Sequence, residues 1–120
     1  MSGRVRRRDA RGMVTAELAV AILAVFSLFV LLCWGLVLIV VQLRLVDTAA
    51  AVARQEARHD AAAVSRARAE APAGAVIHVV RQPTQVRVSV SVRVRSFARG
   101  LPAVPLHADA VVVPEPGSPR

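Results

Sequence analysis

Arg11-Gly12-Met13-Val14-Thr15-Ala16-Glu17 runs without a break into the apolar segment Leu18–Val41, LAVAILAVFSLFVLLCWGLVLIVV. That segment is 24 residues long, carries no charge and has Ser27 as its only clearly polar side chain. At about 1.5 Å per residue a helix of this length reaches roughly 36 Å, enough to cross a hydrocarbon core of about 30 Å with some tilt. A cleaved secretory signal has a shorter apolar core, roughly 7–15 residues, followed by a small-residue cleavage site. The run is too long for that, and Ala49-Ala50-Ala51 beyond it falls on a polar helix. A transmembrane helix over 13–41 is therefore expected, with the rest of the chain arranged on either side of it.

On the N-terminal side lies MSGRVRRRDARG, a leader over 1–12 with five arginines against Asp9 and no hydrophobic periodicity. Basic flanks stay in the cytoplasm. The expected topology is single-pass in the cell membrane, with the N-terminus cytoplasmic and the C-terminus extracytoplasmic. Over the whole chain the formal net charge is +8, 55% of residues are hydrophobic and the mean hydropathy is +0.50. That apolar excess sits in the one segment and does not describe an unusually large core. Every basic residue is Arg and there is no Tyr. This reads as the coding bias of a GC-rich genome, so the choice of Arg over Lys carries little meaning. The single cysteine, Cys33, excludes an intramolecular disulfide and a cysteine-based zinc site. It reads as an apolar filler within the span.

With 120 residues in all, the chain has room for one domain at most. The portion beyond Val41 is close to the size at which a core alone is only marginally stable. Proline is absent between Met1 and Ala71, so a continuous helix is expected from about residue 14 to about residue 70. Its second part, 42–71, is an amphipathic extracytoplasmic stem. Leu43, Val46, Ala50, Ala53, Ala57, Ala61 and Val64 fall at spacings of three and four and form an apolar stripe. Arg44, Asp47, Arg54, Glu56, Arg58, His59 and Asp60 mostly occupy the other faces. Ala71-Pro72-Ala73-Gly74 supplies the stop.

From Gly74 onward the period changes to two. Val76–Val80 is a short β-branched run, and Arg81-Gln82-Pro83-Thr84-Gln85 is a turn. Val86 to Arg95 alternates valine with Arg87, Ser89, Ser91, Arg93 and Arg95. A loop containing Gly100, Pro102 and Pro105 precedes a third strand over 106–113, and 114–120 reads as a frayed tail. The expected fold is α+β and membrane-anchored. A three-stranded antiparallel sheet (76–80, 86–95, 106–113) forms a head over 75–113, its valine face covering the alanine stripe.

Glu17 is the residue that an anchor alone explains least. A charged carboxylate costs about 2.5–3.5 kcal/mol at the centre of a span and less at its edge, where the helix dipole favours an acid. Cleavage after Gly12 would make Met13 the new N-terminus and Glu17 the fifth residue of the mature chain. The new α-ammonium of one subunit then has a partner in Glu17 of its neighbour, and a costly charge becomes a contact that sets register.

Arg-Gly-Met-Val-Thr-Ala-Glu-Leu-Ala, from Arg11 to Ala19, resembles the class III signal of type IV pilins and pseudopilins. More narrowly it is similar to the TadE-like minor pilins of tight-adherence (Flp-type) pili, in their short actinobacterial form. Gln42, Val46-Asp47-Thr48-Ala49-Ala50, the Ala/Arg-rich helix and Leu101-Pro102-Ala103-Val104-Pro105 extend the likeness. Only the leader and Glu17 are motif-like; the rest is compositional. The resemblance implies cleavage between Gly12 and Met13 by a membrane prepilin peptidase, with or without N-methylation of Met13. It implies docking through Glu17, and as partners other pilin or pseudopilin subunits, the Tad/Flp secretion machinery and the lipid bilayer. Many relatives carry a proline in the first half of the span, and this chain does not.

Two rival readings stay open. One is a plain single-pass anchor whose basic head binds an envelope polymer. The other is a competence-type pseudopilin whose Arg87, Arg93 and Arg95 contact DNA. No aromatic residue accompanies those arginines within the strand, and a solvated face that discourages edge pairing explains them as well, so nucleic acid is not the expected partner. His59, His78 and His107 are isolated. Nucleophile, base and orienting acid do not recur at usable spacing, and there is no phosphate-binding glycine loop. No enzymatic activity, cofactor or metal is expected.

Overall fold

Continuous apolar and alanine-rich sequence without proline favours one long helix, and a computed structural model bears this out for most of the expected length. The structure describes residues 6–114, with side chains from residue 12 onward. Helix α1 is Arg6–Ala57, α2 is Ala61–Ala69, and three strands complete the chain: β1 Val76–Arg81, β2 Val86–Val94 and β3 Val104–Val112. The expected tail, apart from Pro114, and the first five leader residues lie outside the described residues. Arg6–Gly12 of the leader are helical, so α1 begins earlier than expected. The chain divides into two units, Met1–Val37 and Leu38–Arg120.

In the first unit α1 is long and apolar enough to cross a membrane: its best window has a mean hydropathy of 2.9 with none of it buried. Leu23 and Leu32 are 65% and 64% exposed. Ser27 Oγ donates to the carbonyl of Leu23 at 2.8 Å, so the one polar side chain of the run is satisfied within its own helix.

The second unit corrects the expected unbroken helix. Rotation stops at Arg58-His59-Asp60, where His59 takes a left-handed φ of 56°. His59 N–H donates to the Glu56 carbonyl at 3.1 Å and Asp60 N–H to that of Gln55 at 3.2 Å. This nested pair is the Schellman ending, with histidine in the position that usually takes glycine. Asp60 then caps α2, its Oδ1 accepting from Ala63 N–H at 2.9 Å. The expected stop after α2 is present: Ala75 N–H donates to the Pro72 carbonyl at 3.0 Å across a turn that places Gly74 at φ 78°.

The strands form one antiparallel sheet in the order β1-β2-β3. Gln82 and Gln85 exchange backbone hydrogen bonds around Pro83-Thr84, which closes the first hairpin. The loop expected before β3 is shorter than read, because Val104 and Pro105 already pair with Val94 and Arg93. β3 is an edge strand, where a proline costs no ladder bond on its open side.

Val86, Val88, Val90 and Val92 of β2 are buried, as the alternation requires. They meet Leu45, Ala49, Val52 and Ala53 of α1, Ala67 of α2 and Ala108 of β3. The valine face does cover the helix, but not the stripe that was expected. Leu43 and Val46 are 60% and 48% exposed, and of that stripe only Ala53 enters the core. The buried face is instead Leu45, Thr48, Ala49, Val52, Ala53 and Glu56, with Val41 at its edge. Ala49 and Ala53 are fully buried in this face, and each fully buried valine or leucine contributes about 1.5–3 kcal/mol.

Candidate functional site

The expected processing point lies inside α1. Gly12 and Met13 are both helical and exposed. Among the described residues a Cβ added at Gly12 would meet nothing within 4 Å, so their packing gives no reason for glycine there. A glycine inside a helix costs about 1 kcal/mol relative to alanine. The carbonyl of Gly12, at the bond that the resemblance marks for cleavage, accepts from Thr15 Oγ1 at 2.9 Å. Hydrolysis there requires the first turns of α1 to open and that bond to be given up. Thr15 was not singled out from sequence. Its position three residues past a glycine carries the local side-chain-to-backbone pattern that could have flagged it.

Glu17 follows on the same helix and is exposed among apolar neighbours, Val14, Leu18 and Val20. Among the described residues no cation pairs with it. The step Gly12–Met13 and Glu17 are thus brought together by helical continuity alone.

The three arginines expected on one strand face do not form a cluster. Arg87 and Arg93 lie on the exposed face of β2, six residues and so about 20 Å apart along the strand. Arg87 pairs across the sheet with Val80 and Val111, and Arg93 with Pro105. Between them stand Ser89, opposite His78 and Asp109, and Ser91, opposite Val76 and His107. Arg95 lies past the end of β2, which stops at Val94 rather than at Arg95. An acid and exposed valines therefore interrupt the basic stripe. The histidines sit apart in sequence and element: His59 between the helices, His78 on β1, His107 on β3.

Glu56, expected on a face away from the apolar stripe, lies on the buried face of α1. It is only 6% exposed. Its Oε2 accepts from Arg81 Nε at 3.2 Å and Nη2 at 2.5 Å, while Oε1 lies 3.6 Å from Arg68 Nη2. One carboxylate thus ties the end of α1 to α2 and to the end of β1.

Comparisons of the chain with protein-family models, with curated proteins and with solved structures gave no match.

Proposed function

We propose that the chain is a structural assembly subunit, a minor pilin or pseudopilin of a Flp/Tad-type pilus. In this reading a prepilin peptidase removes the leader between Gly12 and Met13, and Leu18–Val41 holds the subunit in the bilayer. Glu17 docks it against neighbouring subunits, with the β-sheet head on the extracytoplasmic side.

One observation carries most of the proposal. Among the described residues, an exposed glycine that packing does not use is followed, five residues on, by a carboxylate with no cation partner. Both sit at the start of an exposed apolar helix. Each feature is unfavourable in an isolated chain, and each gains a purpose when the bond after Gly12 is cut. The liberated α-ammonium of one subunit and the Glu17 carboxylate of the next then neutralise one another in a low-dielectric bundle, where an unpaired charge would be strongly disfavoured. The exposed leucines and phenylalanines of the same helix favour lipid or neighbouring helices over water at about 25 cal/mol per Å².

Glu17→Ala tests the docking role. The expected variant is still processed and still membrane-bound but is missing from sheared filaments or from the crosslinked complex with other subunits. Normal incorporation of the variant would refute it.

A further inference from the structure

The β2–β3 loop, residues 95–103, combines two features that a solvated loop does not need. Phe97 and Leu101 are 64% and 61% exposed, and they alternate with Arg95 and Arg99. Among the described residues neither arginine has a carboxylate partner. The loop is built rather than loose. Ser96 Oγ accepts from Ala98 N–H at 3.2 Å, and Leu101 N–H donates to the Ala98 carbonyl at 3.4 Å. That turn has Arg99 at its apex and Gly100 at φ 95°, the left-handed position that a type II turn requires. Pro102 then fixes the exit from the turn. The segment curls round a hollow of about 400 Å³ bounded by Arg95, Arg99 and Leu101, among others.

Two contacts locate the loop within the second unit. Arg81 reaches Glu56, so the β1–β2 turn stands at the C-terminal end of α1. Gln42 Nε2 donates to the carbonyl of His107 at 2.9 Å, and His107 pairs with Ser91 on β2. β2 therefore runs from the level of Glu56 back to that of Gln42. Val94 lies a further three residues, about 10 Å, beyond Ser91. The loop is at the Leu38 end of the unit, where α1 arrives from the apolar run.

We infer that this loop is a second membrane contact, seating Phe97 and Leu101 in the interfacial layer and placing Arg95 and Arg99 on lipid phosphates. The inference rests on the reading of Leu18–Val41 as a span. Guanidinium groups pair with phosphate oxygens, their stems and the two apolar side chains lie along the acyl boundary, and the turn presents both sets together. The seat would hold the head against the bilayer before assembly, and it would have to release when the subunit leaves the membrane for a filament.

The test uses the full chain with Cys33→Ser, one copy per nanodisc of phosphatidylcholine with phosphatidylglycerol. A nitrobenzoxadiazole fluorophore is placed singly through Ala98→Cys, Thr84→Cys or Val25→Cys. The expected result is that the label at 98 is quenched by lipids spin-labelled near the headgroup and shielded from aqueous iodide, whereas the label at 84 behaves oppositely. Replacing Arg95 or Arg99 by glutamine lowers the ratio of seated to free loop roughly fivefold each. Iodide access at 98 equal to that at 84 overturns the inference, as does shielding at 98 without lipid quenching, which would mean a protein contact. The label at 25 separates the two readings. Deep acyl quenching at 25 with a water-exposed 98 removes the loop contact alone, while no deep quenching at 25 removes the span and the loop contact with it.

Discussion

Glu56 shows how one side chain closes the head. Burying a carboxylate is expensive unless charged donors satisfy it, and here Arg81 and Arg68 take one oxygen each. The arginines themselves are 64% and 45% exposed, so solvent screens their side of the contact and the pair is worth less than a fully buried one. The cost of mutation should therefore be lopsided. Arg81→Ala leaves the buried carboxylate with only the longer contact to Arg68 and is expected to destabilise the fold by about 1.5–3 kcal/mol. Glu56→Gln leaves behind two arginines that water can solvate, and it should cost less than about 1 kcal/mol. Guanidinium unfolding of the full chain in detergent, followed by circular dichroism, measures both. A costlier Glu56→Gln would mean that the carboxylate is worth more than its exposed partners allow.

At the scale of elements, two features of the helical part decide the head, the break at His59-Asp60 and the choice of buried face. Asp60→Ala removes the cap of α2 and is expected to cost about 1 kcal/mol, measured in the same unfolding experiment. Leu45→Ala, at a fully buried site, should cost about 2–5 kcal/mol, while Leu43→Ala should stay within about 0.5 kcal/mol because its side chain is 60% exposed. Equal effects at the two positions would restore the stripe read from sequence. The β part was legible because alternation leaves no ambiguity: Val86 to Val92 bury every second residue, and a shift by one would bury the arginines. The helical face was not legible, for a physical reason. Between Leu36 and Val46 the helix is apolar nearly all round, so a period of 3.6 fits two faces equally well. Had the face through Leu45, Ala49 and Val52 been followed, it would have placed Glu56 in the core and pointed to its arginine partners. The break is not legible from glycine or proline, because histidine supplies the left-handed residue and Asp60, expected on a polar face of an unbroken helix, is a cap instead.

For the whole molecule, the two units pose different physical problems. The second has a core of its own, assembled from one stretch of α1, α2 and the inner face of the sheet. Among its described residues the first buries almost nothing within the chain, and their exposed apolar surface calls for a bilayer or for other helices. In the function proposed above, a subunit that exchanges one of those environments for the other meets both demands, and cleavage after Gly12 is the step that commits it. The reading of Gly12 and Glu17 rests on their spacing along the chain, and the partners it proposes lie outside the chain. The most direct measurement is the intact mass and N-terminal residue of the protein recovered from membranes of cells that carry a prepilin peptidase. Cleavage predicts a chain beginning at Met13, and a chain still beginning at Met1 would contradict it.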